Sequence, residues 1–236
     1  MHRNITNIIR AIIDEWIPPK IRDSKWFMYP FFWYWYRSDR EAIRAYMSFK
    51  DRVWSMSSEE YVYFYTTFRQ KSRAAARETD LSDACVEFML KAIDSTAQTV
   101  LDVGCGKGYW LRRLRAHGNY HLYGCDVVPH LDIGEGIVYY QAHIEALPFA
   151  DKAFDVVTCH HTIEHIPRLD AALSELKRVC KKQLMIVTPC QRYYRYTLDE
   201  HVHFFPLKSE LVYRIGIERH MCTNILGDWV YIGLLE

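Results

Sequence analysis

The stretch "VLDVGCGKGYW", residues 100–110, has the pattern of a buried strand that runs into a glycine-rich turn and then a helix. Such turns bind phosphate groups in many nucleotide-binding proteins. A dinucleotide fingerprint requires GxGxxG, but here the glycines are Gly104, Gly106 and Gly108, and Tyr109 stands where the third glycine is needed. The Gly-Lys-Ser/Thr of a P-loop is missing as well. The turn therefore predicts a ligand other than a pyrophosphate.

Two acidic residues accompany the turn. Asp102 lies two positions before Gly104, where its charge repels a phosphate and suits an ammonium group. Asp126 ends the next predicted strand, about 20 residues after the turn, the spacing at which an acid binds the two hydroxyls of a ribose. The alternatives are structural, because tight turns need glycine and an Asp at a strand end is often a cap. Together the two acids favour a nucleoside with a cationic tail, such as S-adenosylmethionine.

Three segments resemble one known family. "VLDVGCGKGYW" is similar to the first motif of the class I S-adenosylmethionine-dependent methyltransferases, and "YGCDVV" to their second. "IEALPFADKAFDVVTCHHTIEHI" resembles a later segment of the type 11 group, which acts on small molecules. The resemblance covers residues 98–206 and implies an α/β fold, a Rossmann-like sheet of seven strands in the order 3-2-1-4-5-7-6 with the last strand antiparallel.

The resemblance also implies a cofactor site. Asp102 would orient the amino-acid end of S-adenosylmethionine, Asp126 would hold the ribose hydroxyls, and Val127 would lie against the adenine ring. The full set of implied cofactor-binding residues is Asp102, Gly104, Cys105, Gly106, Asp126, Val127, Ile144, Glu145 and His160. The sequence departs from the family at His143, where relatives carry an Asp that accepts from the adenine amino group.

The pattern of apolar residues divides the chain near residue 98. From Thr99 onward, short apolar runs alternate with helical segments, which predicts a parallel sheet covered by helices over residues 99–236. A helix is expected over 168–180, and a hairpin turning at Gly227-Asp228 predicts an antiparallel final strand. We expect this part to be the S-adenosylmethionine-binding domain.

Residues 1–98 predict a helical, aromatic-rich N-terminal extension that serves as a lid, a substrate-binding region or a partner-binding region. An apolar stripe runs from Ile5 to Ile17 at helical spacing, and Ser57 with Glu60 forms a capping box. After that box the expected buried face is Tyr61, Tyr65 and Phe68, and Ser82 caps a further helix.

The segment "WFMYPFFWYWY", residues 26–36, has nine aromatic residues in eleven positions. It is consistent with a packing core or lid, with a partner or dimer surface, or with insertion at a membrane interface. A membrane surface is the less favoured of these, because Asp14 and Glu15 lie on the polar face of the preceding helix.

Candidate catalytic residues are histidines, because transfer to an oxygen acceptor usually needs a general base. His201 and His203, in "DEHVHFF", follow the fifth predicted strand at the edge where ligands bind, and His160 is the next candidate. The same segment supplies the candidate substrate-binding residues, namely Arg192, Tyr193, Arg195 and Tyr196. Two arginines suit an acceptor with a carboxylate or phosphate, such as a nucleotide sugar.

Composition limits the remaining function classes. The 236-residue chain has a formal net charge of +1 and no basic stripe, which disfavours nucleic acid as a partner. Its seven cysteines form no CxxC pair, so no metal site is expected, and they indicate thiols in a reducing, cytoplasmic compartment. No apolar run reaches the roughly 20 residues of a spanning helix.

The leading hypothesis is a S-adenosylmethionine-dependent methyltransferase that acts on a small molecule or a glycan or nucleotide-sugar precursor, by O-methylation, as a monomer or homodimer. One alternative is a non-catalytic S-adenosylmethionine-binding module, which the His143 departure favours. Another is a membrane-associated methyltransferase with a lipid-linked substrate. A nicotinamide oxidoreductase is disfavoured by the missing third glycine.

Overall fold

The computed structural model describes residues 16–129 and 132–235, and divides them into two compact units. The helical unit holds the described residues up to Arg77 together with Arg192–Val202. The sheet unit holds Glu78–Gln191 and the described residues from His203 onward. Most of the predicted Ile5–Ile17 helix lies outside the described residues. None of the described helices is both long and apolar enough to cross a membrane.

The helical unit is built from short helices, and side chains cap the N-termini of two of those described. The Asp39 carboxylate accepts from the backbone N–H groups of Glu41 and Ala42. The predicted capping box is present, because Ser57 accepts from Glu60 N–H and Glu60 accepts from Ser57 N–H. The helices are α1 (Pro19–Arg22), α2 (Lys25–Trp35), α3 (Arg40–Met47), α4 (Phe49–Arg52) and α5 (Ser58–Phe68).

Aromatic rings form the core of the helical unit. Tyr36 and Tyr46 stack with ring centroids 4.4 Å apart, and Phe49 stacks on Phe64 at 4.7 Å. On α5 the buried residues are Phe64 and Phe68. The expected face is therefore corrected by one position: Phe64 packs edge-on against Tyr46, whereas Tyr65 is only half-buried.

The segment Arg192–Val202 is part of this core although it is far away in sequence. Tyr196 and Val202 are buried with the aromatic rings of α2 to α5. The Tyr36 hydroxyl donates to Leu198 O at 2.9 Å, and the Tyr46 hydroxyl donates to the buried Glu200 carboxylate. The helical unit therefore includes the chain that follows the fifth strand.

The sheet unit has the predicted strand order. Its strands are β1 (Thr99–Val103), β2 (His121–Asp126), β3 (Val138–Gln141), β4 (Phe154–His160), β5 (Cys180–Pro189), β6 (His220–Ile225) and β7 (Asp228–Leu234). They form one sheet in the order β3-β2-β1-β4-β5-β7-β6. Strands β1 to β5 pair in parallel, and β7 is antiparallel to both of its neighbours. The predicted fold class is confirmed.

Helices cover both faces of the sheet because its apolar residues alternate. The helices of the sheet unit are α6 (Asp83–Ala92), α7 (Tyr109–His117), α8 (Leu169–Val179) and α9 (Lys208–Ile215). Leu101 and Val103 of β1 belong to the core that includes residues of α8 and α9. Val100 faces the other core, where α6 and α7 pack. The strand ends that carry Asp102 and Asp126 therefore lie between two apolar layers.

Two boundaries differ from the sequence expectation. The units divide between Arg77 and Glu78 rather than near residue 98, because α6 packs its buried Cys85 and Met89 against the sheet core. The predicted helix over 168–180 ends at Val179, and Cys180 already begins β5 by pairing with Phe154. The functional division of the chain into an extension and a cofactor-binding domain stays a prediction.

A stability prediction follows from the buried Glu200 carboxylate. Tyr46→Phe removes a hydroxyl that donates to it, so we expect the free energy of unfolding of the helical unit to fall by about 1–3 kcal/mol, the cost of depriving a buried acceptor of a donor. Hydrogen exchange of peptides from 192–202, with and without denaturant, measures the change. Tyr63→Phe on α5 is the matched control, because Tyr63 is 68% exposed. Equal exchange in the two variants would contradict the prediction.

Candidate functional site

The glycine turn after β1 presents backbone without side chains. Gly104 has φ +75° and Gly106 has φ +48°, values in the left-handed region that favours glycine. A Cβ atom on Gly104 would lie 2.2 Å from Thr162 Oγ1, so no other residue fits there. A Cβ on Gly106 would meet no atom within 4 Å. The backbone at Gly106 therefore borders open space in which a ligand can approach it closely.

Asp102 provides a buried carboxyl beside this turn. Its side chain accepts a hydrogen bond of 2.7 Å from the Thr158 hydroxyl, which faces it because the β1–β4 ladder pairs the two residues. Burial raises the pKa of Asp102 to about 7, although the Thr158 hydrogen bond lowers it and nearby Asp126 raises it further. A carboxyl with this pKa gains most from a cationic ligand, which stabilises its charged form.

Asp126 ends β2 and is joined to the turn. One carboxylate oxygen accepts from the N–H of Gly106 at 3.0 Å, and the other accepts from the N–H of Val128 at 3.1 Å. Only 9% of Asp126 is exposed. The carboxylate therefore has a fixed orientation at the carboxyl end of the strand, where the sequence predicted the ribose contact.

His160, at the end of β4, lies beside Asp102 as a neutral imidazole. Its Nδ1 is 3.7 Å from Asp102 Oδ1, and Trp110 packs edge-on against its ring at 5.3 Å. Burial, together with the adjacent His161, lowers the pKa of His160 to about 3. Its buried Nε2 has no hydrogen-bond partner among the described residues. An imidazole with this pKa is a weak base, which favours a ligand-contacting role for His160 over proton abstraction.

His161 is a charged residue that is not among the predicted catalytic, cofactor-binding or substrate-binding residues. Its Nδ1 lies 3.5 Å from Glu164 Oε1, and its Nε2 lies 3.6 Å from Asp228 Oδ2. Burial lowers the pKa of His161, but the two carboxylates outweigh burial and raise it to about 10. Asp228, which had been interpreted only as a turn residue, begins β7 opposite Pro189. The signal in the sequence that could have identified this contact was the strand order, which brings the start of β7 to the carboxyl ends of the parallel strands.

The remaining predicted cofactor-binding residues differ from one another in how far they are exposed to solvent. Val127 is half-buried, while Ile144 is buried in the sheet core, so its backbone is the part left for a ligand. The Glu145 carboxylate pairs with Arg168, whose Nε lies 2.8 Å away. His143 is exposed. Cys105 is buried, and burial raises the pKa of its thiol well above the usual range.

The four predicted substrate residues separate into two kinds. Tyr196 is buried in the helical core, and Arg195 pairs with Asp51 at 2.5 Å. Arg192 and Tyr193 are exposed. The ammonium group of the half-buried Lys50 lies 4.9 Å from the centre of the Tyr193 ring. Desolvation lowers the pKa of Lys50 to about 7, an effect that nearby acids partly offset.

The two candidate bases belong to different units. His201, in the helical unit, is buried, with Nε2 3.5 Å from Asp199 Oδ2. His203, in the sheet unit, has Nε2 3.0 Å from Ile166 O and 3.3 Å from Pro167 O. Carbonyl oxygens only accept, so Nε2 of His203 carries the proton and Nδ1 is its basic nitrogen. Burial lowers the pKa of His203.

Comparison with known proteins identifies relatives of part of the chain. Residues 101–187 match the family described as "Methyltransferase domain". The chain is 33% identical to a malonyl-[acyl-carrier protein] O-methyltransferase of Erwinia pyrifoliae, over 48% of this chain and 45% of that protein. It is 35% identical to a ubiquinone biosynthesis O-methyltransferase of Hahella chejuensis, over 41% of this chain and 44% of that protein. The chain thus spans less than half the length of these curated relatives.

Solved structures share the fold. A methyltransferase from Aquifex aeolicus, described as S-adenosylmethionine-dependent, has a TM-score of 0.52 at 20% identity and covers 64% of this chain and 89% of its own. The PH0226 protein from Pyrococcus horikoshii has a TM-score of 0.54 at 15% identity, with coverages of 73% and 98%. The predicted cofactor class, S-adenosylmethionine, is confirmed for the family. The family match from β1 into β5 and the seven-stranded sheet in this order bear out the resemblance to the class I S-adenosylmethionine-dependent methyltransferases.

Proposed function

We propose that the chain transfers a methyl group from S-adenosylmethionine to an oxygen atom of a small molecule. The observation that carries the proposal is the pair of buried carboxyls, Asp102 and Asp126, on either side of an open glycine turn. Asp102 offers a carboxyl to the ammonium group of the cofactor, and Asp126 offers carboxylate oxygens to the ribose hydroxyls. The predicted cytoplasmic location is part of the proposal, and cysteines that form no disulfide among the described residues support it.

The residues of the chain align the reactants and exclude water. When bound, the cofactor supplies an activated methyl group on a sulfonium, which reacts by in-line displacement. The buried His160 ring lies beside Asp102, and the buried Trp110 ring packs against His160. Apolar surroundings of this kind exclude water and strengthen the attraction of the carboxylate for a cation. A neutral base near the acceptor then needs only to take one proton from a hydroxyl.

The acceptor class rests on the segment after β5. Arg192, Tyr193 and Arg195 are exposed in this segment, and an arginine suits a carboxylate or phosphate on a glycan or nucleotide-sugar precursor. The relatives named O-methyltransferases support transfer to oxygen. Because the helical unit incorporates this segment, we propose that the N-terminal helices hold the acceptor-binding residues in place.

Screening metabolite pools with labelled cofactor tests the whole proposal. Cofactor binding without any turnover would instead favour a non-catalytic binding module.

The ribose assignment predicts the effect of one substitution. Asp126→Ala should weaken S-adenosylmethionine binding by roughly 1.5–3 kcal/mol, the scale for a hydrogen bond to a charged group. Titration calorimetry measures this change, and circular dichroism checks that the fold is intact. Asp170→Ala is the control, because Asp170 is an exposed acid at the start of α8. Unchanged affinity in a folded Asp126→Ala protein would remove the ribose assignment.

The raised pKa of Asp102 predicts a pH dependence of cofactor affinity. An ammonium group binds the charged form of the carboxyl, and that form is lost as the pH falls through about 7. The affinity should therefore be highest above pH 7 and fall roughly tenfold per pH unit below it. Calorimetry in buffers of different ionisation enthalpy should also detect proton release on binding.

Asp102→Asn is the matched variant for this pH series. It keeps the size of the side chain but has no proton to lose, so its affinity should be weak and nearly independent of pH between about 5 and 7. A wild-type affinity that does not change over this range would show that Asp102 does not bind the ammonium group.

The base assignment predicts changes in kcat. If the acceptor is a hydroxyl, His203→Ala or His201→Ala should lower kcat by roughly 10²–10⁴, the usual contribution of a positioned base, with little change in cofactor affinity. If His203 is the base, the wild-type rate should fall as the pH drops below about 6.5, because burial places its pKa under the ordinary value. His121→Ala, at the exposed start of β2, is the control. Near-normal kcat in both variants would exclude a histidine base in this segment.

A further inference from the structure

Helix α2 exposes a continuous stripe of aromatic residues. Its inner side buries Met28 and Phe32 in the core of the helical unit. On the outer side, residues at helical spacing i, i+3, i+4, i+7 and i+8 are all exposed. This aromatic face consists of Trp26, Tyr29, Pro30, Trp33 and Tyr34, and the aromatic side chains are 71%, 47%, 54% and 51% exposed in that order.

A face of this kind is unusual on a helix at a protein surface. Single exposed apolar residues are common and need no explanation, but surface helices normally place polar residues on the side away from the core. A contiguous exposed apolar patch marks a surface that binds something. Trp and Tyr are the residue types that concentrate at the boundary between lipid headgroups and acyl chains.

The charges around the aromatic face are positive. No acidic residue occurs between Ser24 and Ser38. The acids beyond these ends have cationic partners: Asp23 lies 3.5 Å from Arg22, and Asp39 lies 3.2 Å from Lys71.

One exposed cation contacts the aromatic face, and others lie near the two ends of α2 in sequence. The Arg73 guanidinium lies over the Tyr34 ring at 4.3 Å and donates to Tyr34 O at 2.8 Å. The other exposed cations near α2 in sequence are Lys20, Lys25, Arg37 and Arg40. The net charge of the whole chain is only +1, so this positive character is local.

We propose that the aromatic face of α2 docks on an anionic lipid surface. The rings would lie in the headgroup region and the surrounding cations would contact lipid phosphates. A second copy of the chain is a poorer occupant, because pairing the same face across a two-fold axis brings like charges together.

The proposal does not depend on the identity of the methyl acceptor. Asp14 and Glu15, the two acids that disfavour a membrane surface in the sequence, precede α2 and lie outside the described residues. Docking on a lipid surface and turnover are therefore separate measurements, and failure of one does not imply failure of the other.

Co-sedimentation of the full chain with vesicles tests the proposal. We expect binding to phosphatidylcholine vesicles that contain about one third phosphatidylglycerol, weaker binding to pure phosphatidylcholine, and release by added salt. Trp26→Ser combined with Trp33→Ser should lower the partition coefficient by about tenfold or more, the scale for two large apolar side chains. Trp54→Ser is the matched control, because Trp54 is 60% exposed and lies outside α2.

A second pair of variants tests the charges. Lys25→Glu with Arg37→Glu should lower binding to the anionic vesicles by roughly tenfold, because each cation near such a surface contributes to affinity. The same charge change at Lys91 and Arg113, exposed residues of the sheet unit, should have much less effect.

Three results would overturn the proposal. The first is a wild-type chain that does not sediment with anionic vesicles. The second is equal vesicle binding by the Trp26/Trp33 variant and the Trp54 variant. The third is a wild-type dimer in analytical ultracentrifugation that the Trp26/Trp33 variant abolishes, because the aromatic face would then be an interface between two copies.

Discussion

Burying the carboxyl of Asp102 is the constraint around which the sheet edge is arranged. A charge removed from water must receive hydrogen bonds or an opposite charge, or it takes up a proton. Among the described residues, the Thr158 hydroxyl on the neighbouring strand donates to the carboxyl, and the neutral His160 ring lies 3.7 Å away. These groups compensate the charge too little to keep the carboxyl fully ionised at neutral pH. Under the proposed function, the ammonium group of the cofactor would supply the missing compensation.

The charge of His161, next to His160 in the sequence, is compensated by residues of the chain itself. His161 follows His160 directly, yet it lies between two buried carboxylates and carries a proton at neutral pH. Its charge is therefore balanced by Glu164 and Asp228, and it does not offset the charge of Asp102. The two neighbouring histidines therefore differ: His160 gives Asp102 no compensating positive charge, and His161 links the end of β4 to the start of β7.

Features that depend on neighbouring residues could be predicted from the sequence. The glycines of the turn, the strand ends and the Ser57 capping box all follow from local pattern, and the structure has each of them. Groupings that depend on the sheet order or on helix packing were missed, because they join residues far apart in sequence, although the implied strand order carried the signal for one of them. His161 and Asp228 meet only because β7 inserts between β5 and β6. The face of α5 was misplaced by one residue because several aromatic residues in a row give no clear periodicity.

The inclusion of Arg192–Val202 in the helical unit has a consequence for biosynthesis. The helices that are synthesised before the sheet unit lack Tyr196 and Val202, which complete their core, until the fifth strand has been made. Domains of a chain usually fold in the order in which they are synthesised. Here the earlier of the two units is completed only after most of the later one, so neither unit corresponds to one continuous stretch of the gene. Recombination that exchanged the N-terminal helices alone would separate them from a part of their own interior.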